Sequence, residues 1–170
     1  MNVVLDAMAV IHLAKITVLE KTCDYFTKVH IPKMVYDEVL KGKEKGFPDV
    51  PIMLELIKKQ KITITNVKDK NQLKRINEFN IQGGEAESIA VYLQEKANII
   101  ITDDDNVRKK RAIMNLNTTS TPAILLTLLK NKKITMQKFR NSIAELRKIG
   151  WFSAGILDKL IMEAEQWEKQ

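Results

Sequence analysis

The chain has 170 residues, 45% of them hydrophobic and 29% charged, enough for one domain with a real core. Its single cysteine, Cys23, excludes an intramolecular disulfide scaffold and suits a reducing interior, and no apolar run approaches the roughly 18 residues of a membrane span. The opening MNVVLDAM has no basic region before its apolar stretch, which argues against a secretory signal and for a cytoplasmic protein. The net charge of +7 suits a polyanionic partner such as RNA, because Lys and Arg release counterions from phosphates.

In chain order the pattern alternates strand and helix. Asn2–Leu5 reads as a buried strand ending in Asp6, and a loosely helical apolar pattern follows from Met8 to Leu19. Val29–Ile31 is a second strand. Pro32 suits the first turn of a helix carrying Met34, Val35, Val39 and Leu40, with Gly42 as its stop. A loop is expected over Lys43–Val50, a helix over Pro51–Lys59, a strand over Lys61–Val67 and a helix over Asn71–Phe79. Gly83–Gly84 punctuates before a helix over Glu85–Lys96. Asn98–Thr102 holds three consecutive isoleucines, the clearest buried strand. A basic helix is expected over Asn106–Asn115, a short strand over Thr118–Ser120 and a helix over Pro122–Leu129. Two tail helices are expected within Thr135–Gln170, divided near Gly150. Continuous apolar strands alternating with helices predict an α/β fold: a parallel sheet covered on both faces, with ligands bound beyond the carboxyl ends of its strands.

That rule gives meaning to the acids. Asp6 follows the first strand, and Asp103, Asp104 and Asp105 follow the isoleucine strand, on the same sheet edge. Glu38 lies in the first two turns of its helix, and Glu85 opens another. Clustered carboxylates repel one another unless a cation neutralises them, and Mg²⁺ takes oxygen ligands while keeping several waters. A metal so held can polarise a phosphoryl oxygen and generate hydroxide. The run Arg108-Lys109-Lys110-Arg111 stands ready to hold an RNA backbone nearby. Each acid also has a structural role open to it: Asp6 as a helix cap, Glu38 as a solvated helix residue, Glu85 or Glu87 as a charge favouring the helix N-terminus, and Asp103–Asp105 as a polar turn. The joint placement makes the case. His12 and His30 have no evident Asp or Ser partner and read as structural, and Trp151 and Trp167 read as core or interface residues.

Several segments resemble the PIN-domain family, in particular its prokaryotic predicted nucleic-acid-binding branch. They are VVLDAMAVIHLAKI (3–16), IPKMVYDEVL (31–40), GGEAESIAVYL (83–93) and IIITDDDNVRKKRA (99–112), with LRKIGWFSAGILDKLIMEAE (146–165) similar to the branch's ending. The resemblance spans nearly the whole chain. It implies a three-layer α/β/α sandwich with a central parallel sheet, and one PIN-like domain over 1–170 with a helical tail from about 135. It also implies Mg²⁺ or Mn²⁺ at the acids and hydrolysis of single-stranded RNA. The family's four acids fall on Asp6, on Glu38, on Glu85 with Glu87 as competitor, and on Asp103 with Asp104 as partner. Asp6, Glu38 and Asp103 would then ligate a metal directly, while Glu85 and Asp104 complete the site, act through water or hold a second metal. One departure stands out. Where the family usually has Ser, Thr or Asn two residues after the first Asp, this chain has Met8, whose thioether makes no strong hydrogen bond.

The resemblance thus implies a metal-dependent endoribonuclease, either a stand-alone enzyme or the toxin of a toxin–antitoxin pair with an antitoxin partner, and a homodimer. The alternative is a catalytically weak RNA-binding module, favoured by Met8 and opposed by retention of the acids. A haloacid-dehalogenase-type phosphohydrolase would need an acid where Met8 stands. A receiver domain would want its acid pair near the start rather than after a late strand.

Overall fold

The computed structural model describes residues 1–43, 47, 49–110 and 112–169. Its strands are β1 (Asn2–Leu5), β2 (Lys28–Pro32), β3 (Thr63–Thr65), β4 (Ile99–Ile101) and β5 (Thr118–Thr119). They form one all-parallel sheet in the order β3-β2-β1-β4-β5. The helices are α1 (Ala7–Lys15), α2 (Leu19–Tyr25), α3 (Lys33–Leu40), α4 (Asp49–Lys58), α5 (Lys70–Asn77), α6 (Gly83–Gln94), α7 (Asp105–Lys110), α8 (Thr121–Lys130), α9 (Met136–Ile149) and α10 (Ala154–Glu168). The expected α/β class with a central parallel sheet flanked by helices is what the chain forms.

Side-chain alternation divides the sheet between two cores. Val3, Leu5 and Ile101 point into one, with Leu13 of α1, Met53 of α4, Leu125 of α8 and Phe139 of α9. Val4 and Ile100 point into the other, with Ile76 of α5, Ile89 of α6 and Val107 of α7. A strand buried on both faces has no polar side, which is why β1 and β4 read as unbroken apolar runs. The strand order reverses between β1 and β4, whose register pairs Val3 with Ile99 and Leu5 with Ile101. In such sheets the carboxyl ends splay apart at this switch point, leaving a crevice. Asp6 and Thr102–Asp104 are the residues that leave the sheet there.

Several boundaries differ from expectation. The apolar pattern after Asp6 holds two helices, because Thr17 takes φ +55 and turns the chain between α1 and α2. Pro32 is the last residue of β2 and the N-cap of α3, at φ −60 and ψ 154, rather than a first-turn residue. β3 covers three residues instead of the seven from Lys61 to Val67. Asp49 and Val50, expected in a loop, begin α4, and residues 44–46 and 48 of that loop lie outside the described residues. α7 ends at Lys110, short of Asn115, and Arg111 also lies outside the described residues. The tail forms two helices as expected, with Gly150 at φ +75 closing α9. No described helix is long and apolar enough to cross a membrane.

Candidate metal centre

A cavity of about 260 Å³ opens at the switch point, lined by Asp6, Met8, Glu38, Gln82–Glu85 and Asp104 among others. Four of the acids singled out in the sequence therefore meet on one concavity, delivered by four separate elements: the end of β1, the body of α3, the first turn of α6 and the turn after β4.

Asp6 is 4% exposed and also caps α1, its Oδ1 accepting the Ala9 N–H at 2.7 Å. The capping role and a place at the cavity thus coexist. Burial raises its pKa from 3.8 to about 7. Hydrogen bonds from Thr102 and the Ala9 amide oppose the rise, and the charges of Asp103 and Asp104 add to it. Glu85 also rises to about 7, first through burial, then through the charge of Asp104 and a hydrogen bond to it, and through the charge of Glu38. Two acids that resist ionisation beside further acids form a site with a surplus of negative charge.

Gly84 explains how Glu38 and Glu85 come to be neighbours. A Cβ at Gly84 would lie 3.1 Å from Glu38 Oε2 and 3.2 Å from Val35 Cγ2. Its absence lets the start of α6 lie directly on α3. Gly83, at φ +62, makes the turn that starts α6, a left-handed conformation natural to glycine.

Both undecided pairs separate in space. Glu85 lines the acid cavity, whereas the Glu87 carboxylate accepts the Met34 N–H at 2.9 Å and faces an adjoining cavity of about 620 Å³ with Lys33 and Lys41. Glu87 supplies the cap that α3 lacks from Pro32. Asp104 lines the acid cavity. Its Oδ1 accepts the N–H groups of Asn106 at 2.7 Å and Val107 at 3.1 Å at the start of α7. The structure does not bring Asp103, expected as a direct ligand, to that cavity. Its Oδ1 accepts the Thr121 N–H at 2.7 Å, its Oδ2 accepts the Thr121 hydroxyl at 2.6 Å, and His12 Nδ1 lies 2.8 Å from the same oxygen. All of this is buried, so Asp103 bolts the end of β4 to α1 and to the start of α8 and thereby fixes the turn that presents Asp104.

His12 consequently does have an acidic partner, which its place in the sequence hid. His30 hydrogen-bonds Thr65 Oγ1 at 2.9 Å in the sheet and stays structural. Trp167 packs against the larger core, but Trp151 is 52% exposed, so it is not a core residue. Of the basic run, Lys110 donates to the Phe79 carbonyl, and Arg108 pairs loosely with Asp105 at 3.6 Å.

The donor set facing the cavity is carboxylate oxygen, with no imidazole or thiol among its lining residues. It fits a hard divalent cation such as Mg²⁺ or Mn²⁺ rather than zinc. Among the described residues no three acidic, imidazole or thiol side chains are drawn together closely enough to enclose an ion by themselves. The fit is therefore to a cation that retains waters and uses them to reach part of its ligand set.

A family model described as a PIN domain matches residues 2–166. The chain therefore belongs to the PIN-domain family, a nuclease fold. No curated protein and no solved structure matches it.

Proposed function

We propose that this chain is a Mg²⁺- or Mn²⁺-dependent endoribonuclease that hydrolyses phosphodiester bonds of single-stranded RNA. The observation that carries the reading is the convergence of Asp6, Glu38, Glu85 and Asp104 on one cavity at the switch point of a parallel sheet. A divalent cation bound there would polarise a phosphoryl oxygen and lower the pKa of a bound water. The chain's own residues do the rest. Asp6, Glu38 and Asp104 would hold the cation, in part through its waters, and Glu85 would complete the set directly or through water. Asp103, clamped by Thr121 and His12, keeps Asp104 in place. Cations flank the acids on both sides: Lys33 and Lys41 in the cavity that shares Glu38, and Arg108 in a cavity that shares Asp104. An RNA backbone crossing the acids meets positive charge before and after them, as the +7 balance favours.

We further read the chain as a single domain acting in the cytoplasm as a homodimer, and as a candidate toxin whose antitoxin would block this crevice. A catalytically weak RNA-binding module is the second reading, supported by Met8 lining the cavity where the resemblance leads one to expect a polar side chain. Cleavage of single-stranded RNA by the wild type, Asp6→Asn and Asp104→Asn, each with Mg²⁺, Mn²⁺ or EDTA, separates the two. The nuclease reading requires metal-dependent cleavage lost in both variants. Cleavage in EDTA, or equal cleavage by all three proteins, would overturn it. RNA binding without cleavage by the wild type would favour the module.

A further inference from the structure

A second concavity, of about 540 Å³, opens on the other side of Asp104, between the start of α7 and the turn joining α9 to α10. Its volume falls within the roughly 300–1,000 Å³ of small-molecule sites. We propose that it seats a nucleobase of the single-stranded RNA, stacked on Trp151, next to the phosphate held at the acids. This inference rests on the endoribonuclease reading.

The argument begins at Gly150. Its left-handed φ of +75 ends α9 and turns Trp151 and Phe152 back toward the end of β4. Both adjacent rings border His12: the Phe152 ring lies 5.4 Å from it in an edge-on arrangement, and the Trp151 ring lies 6.2 Å from it, tilted. Trp151 donates its indole N–H to the Asp103 carbonyl at 3.0 Å, yet leaves 52% of its surface exposed. That bond uses the only polar group of the side chain and ties the ring's edge to the strand end that carries Asp104. What remains on display is an aromatic surface already held in one orientation, which is the requirement for a base-stacking platform.

The electrostatics select a base over a phosphate. Asp104 and Asp105 line the same concavity and would repel an anion, whereas a neutral heterocycle meets no such penalty. Arg108 also lines it, in an exposed pair with Asp105 at 3.6 Å. Such a pair contributes little, so the guanidinium can exchange Asp105 for the phosphate of the seated nucleotide. Ser153, the N-cap of α10, makes no side-chain cap hydrogen bond and lines the concavity, where its hydroxyl can meet a base edge or a ribose. Asp104 belongs to both concavities, so a base in one places the adjoining phosphodiester at the other.

The test uses the full chain as Trp167→Phe, which leaves Trp151 as its sole tryptophan. It is titrated with Ca²⁺ present, so that a divalent cation occupies the acids, with a short oligoadenylate and with the abasic oligomer of the same length. The inference predicts saturable quenching of Trp151 by the oligoadenylate and much weaker binding of the abasic strand. Followed by the anisotropy of a dye-labelled strand, since these variants have no indole, Trp151→Ala should weaken oligoadenylate binding about 5- to 150-fold, the range typical of one stacked base. Trp151→Phe should bind more tightly than Trp151→Ala and more weakly than the wild type, because it keeps a ring but loses the N–H that orients it. An unchanged indole signal, equal binding of the abasic strand, or a Phe variant as weak as Ala would overturn the inference and leave Trp151 as an anchor for β4. Self-association that depends on Trp151, with RNA binding unaffected, would overturn it in favour of a second copy. Parallel Mg²⁺ and Mn²⁺ cleavage assays keep the two readings apart. Cleavage without an indole response sinks the base site alone, and an indole response without cleavage sinks the nuclease reading alone.

Discussion

Replacing Asp6 by Asn should make the metal-free protein more stable at alkaline pH while abolishing its activity. Burial holds the Asp6 pKa at about 7 against its ordinary 3.8, so the native state keeps a proton that the unfolded chain gives up. Stability therefore falls as pH rises between those two values. The difference of about 3 units, at 1.36 kcal/mol each, sets an upper bound of about 4 kcal/mol on the loss above pH 7. Asn is neutral at every pH and is itself a good N-cap that can still accept the Ala9 N–H. In EDTA, urea unfolding of the two proteins should give similar stability near pH 4 and a gap approaching that bound at pH 8. Glu85 titrates in the same range in both proteins, so it cancels in the comparison. Excess Mg²⁺ or Mn²⁺ at pH 8 should close the gap by stabilising the wild type alone, since the cation binds the ionised acids. A pH-independent difference, or an Asn variant less stable at pH 8, would refute the reasoning.

Three further outcomes follow from neighbouring residues. Gly84→Ala brings a Cβ to 3.1 Å from Glu38 Oε2 and 3.2 Å from Val35 Cγ2, a strain that offsets the gain of up to about 1 kcal/mol from Ala in a helix. Its melting temperature should barely move while cleavage drops, and unchanged cleavage would mean that the α3–α6 contact does not set the site. Glu85→Gln should reduce cleavage at least about tenfold, the lower end of what supporting groups at metal sites contribute. Glu87→Gln, which can still cap α3, should reduce it far less, and the reverse order would exchange their roles. Met8→Thr restores a hydroxyl to the cavity lining and should raise the cleavage rate by up to about tenfold, whereas a slower variant would show the thioether to be favourable packing.

The sheet was legible because its strands are buried on both faces. Val3–Leu5 and Ile99–Ile101 admit no polar residue until the chain leaves the core, so each acid at a strand end marks the edge where the site lies. Gly83 and Gly150 were legible as breaks because glycine readily takes the left-handed φ, +62 and +75, that each adopts. The undecided pairs could not be resolved locally. Glu85 and Glu87 stand two residues apart on α6, about 200° around its axis, so they face nearly opposite ways, and the packing of α3 at Gly84 decides which meets the acids. Asp103 and Asp104 are adjacent, and what separates them is Thr121, 18 positions onward, and His12, 91 positions back. The left-handed turn at Thr17 has no glycine to announce it, so α1 and α2 read as one pattern. The core alternative for Trp151 fails because a ring 52% exposed is tied by its N–H to the Asp103 carbonyl, a contact the local sequence does not show.

The most direct test of the carboxylate centre is a Mn²⁺ titration followed by electron paramagnetic resonance at pH 8, comparing the wild type with Asp104→Asn and Glu87→Gln. The account predicts saturable Mn²⁺ binding by the wild type, strongly weakened in Asp104→Asn and nearly unchanged in Glu87→Gln. Equal binding by the wild type and Asp104→Asn, or no saturable binding by the wild type, would contradict it.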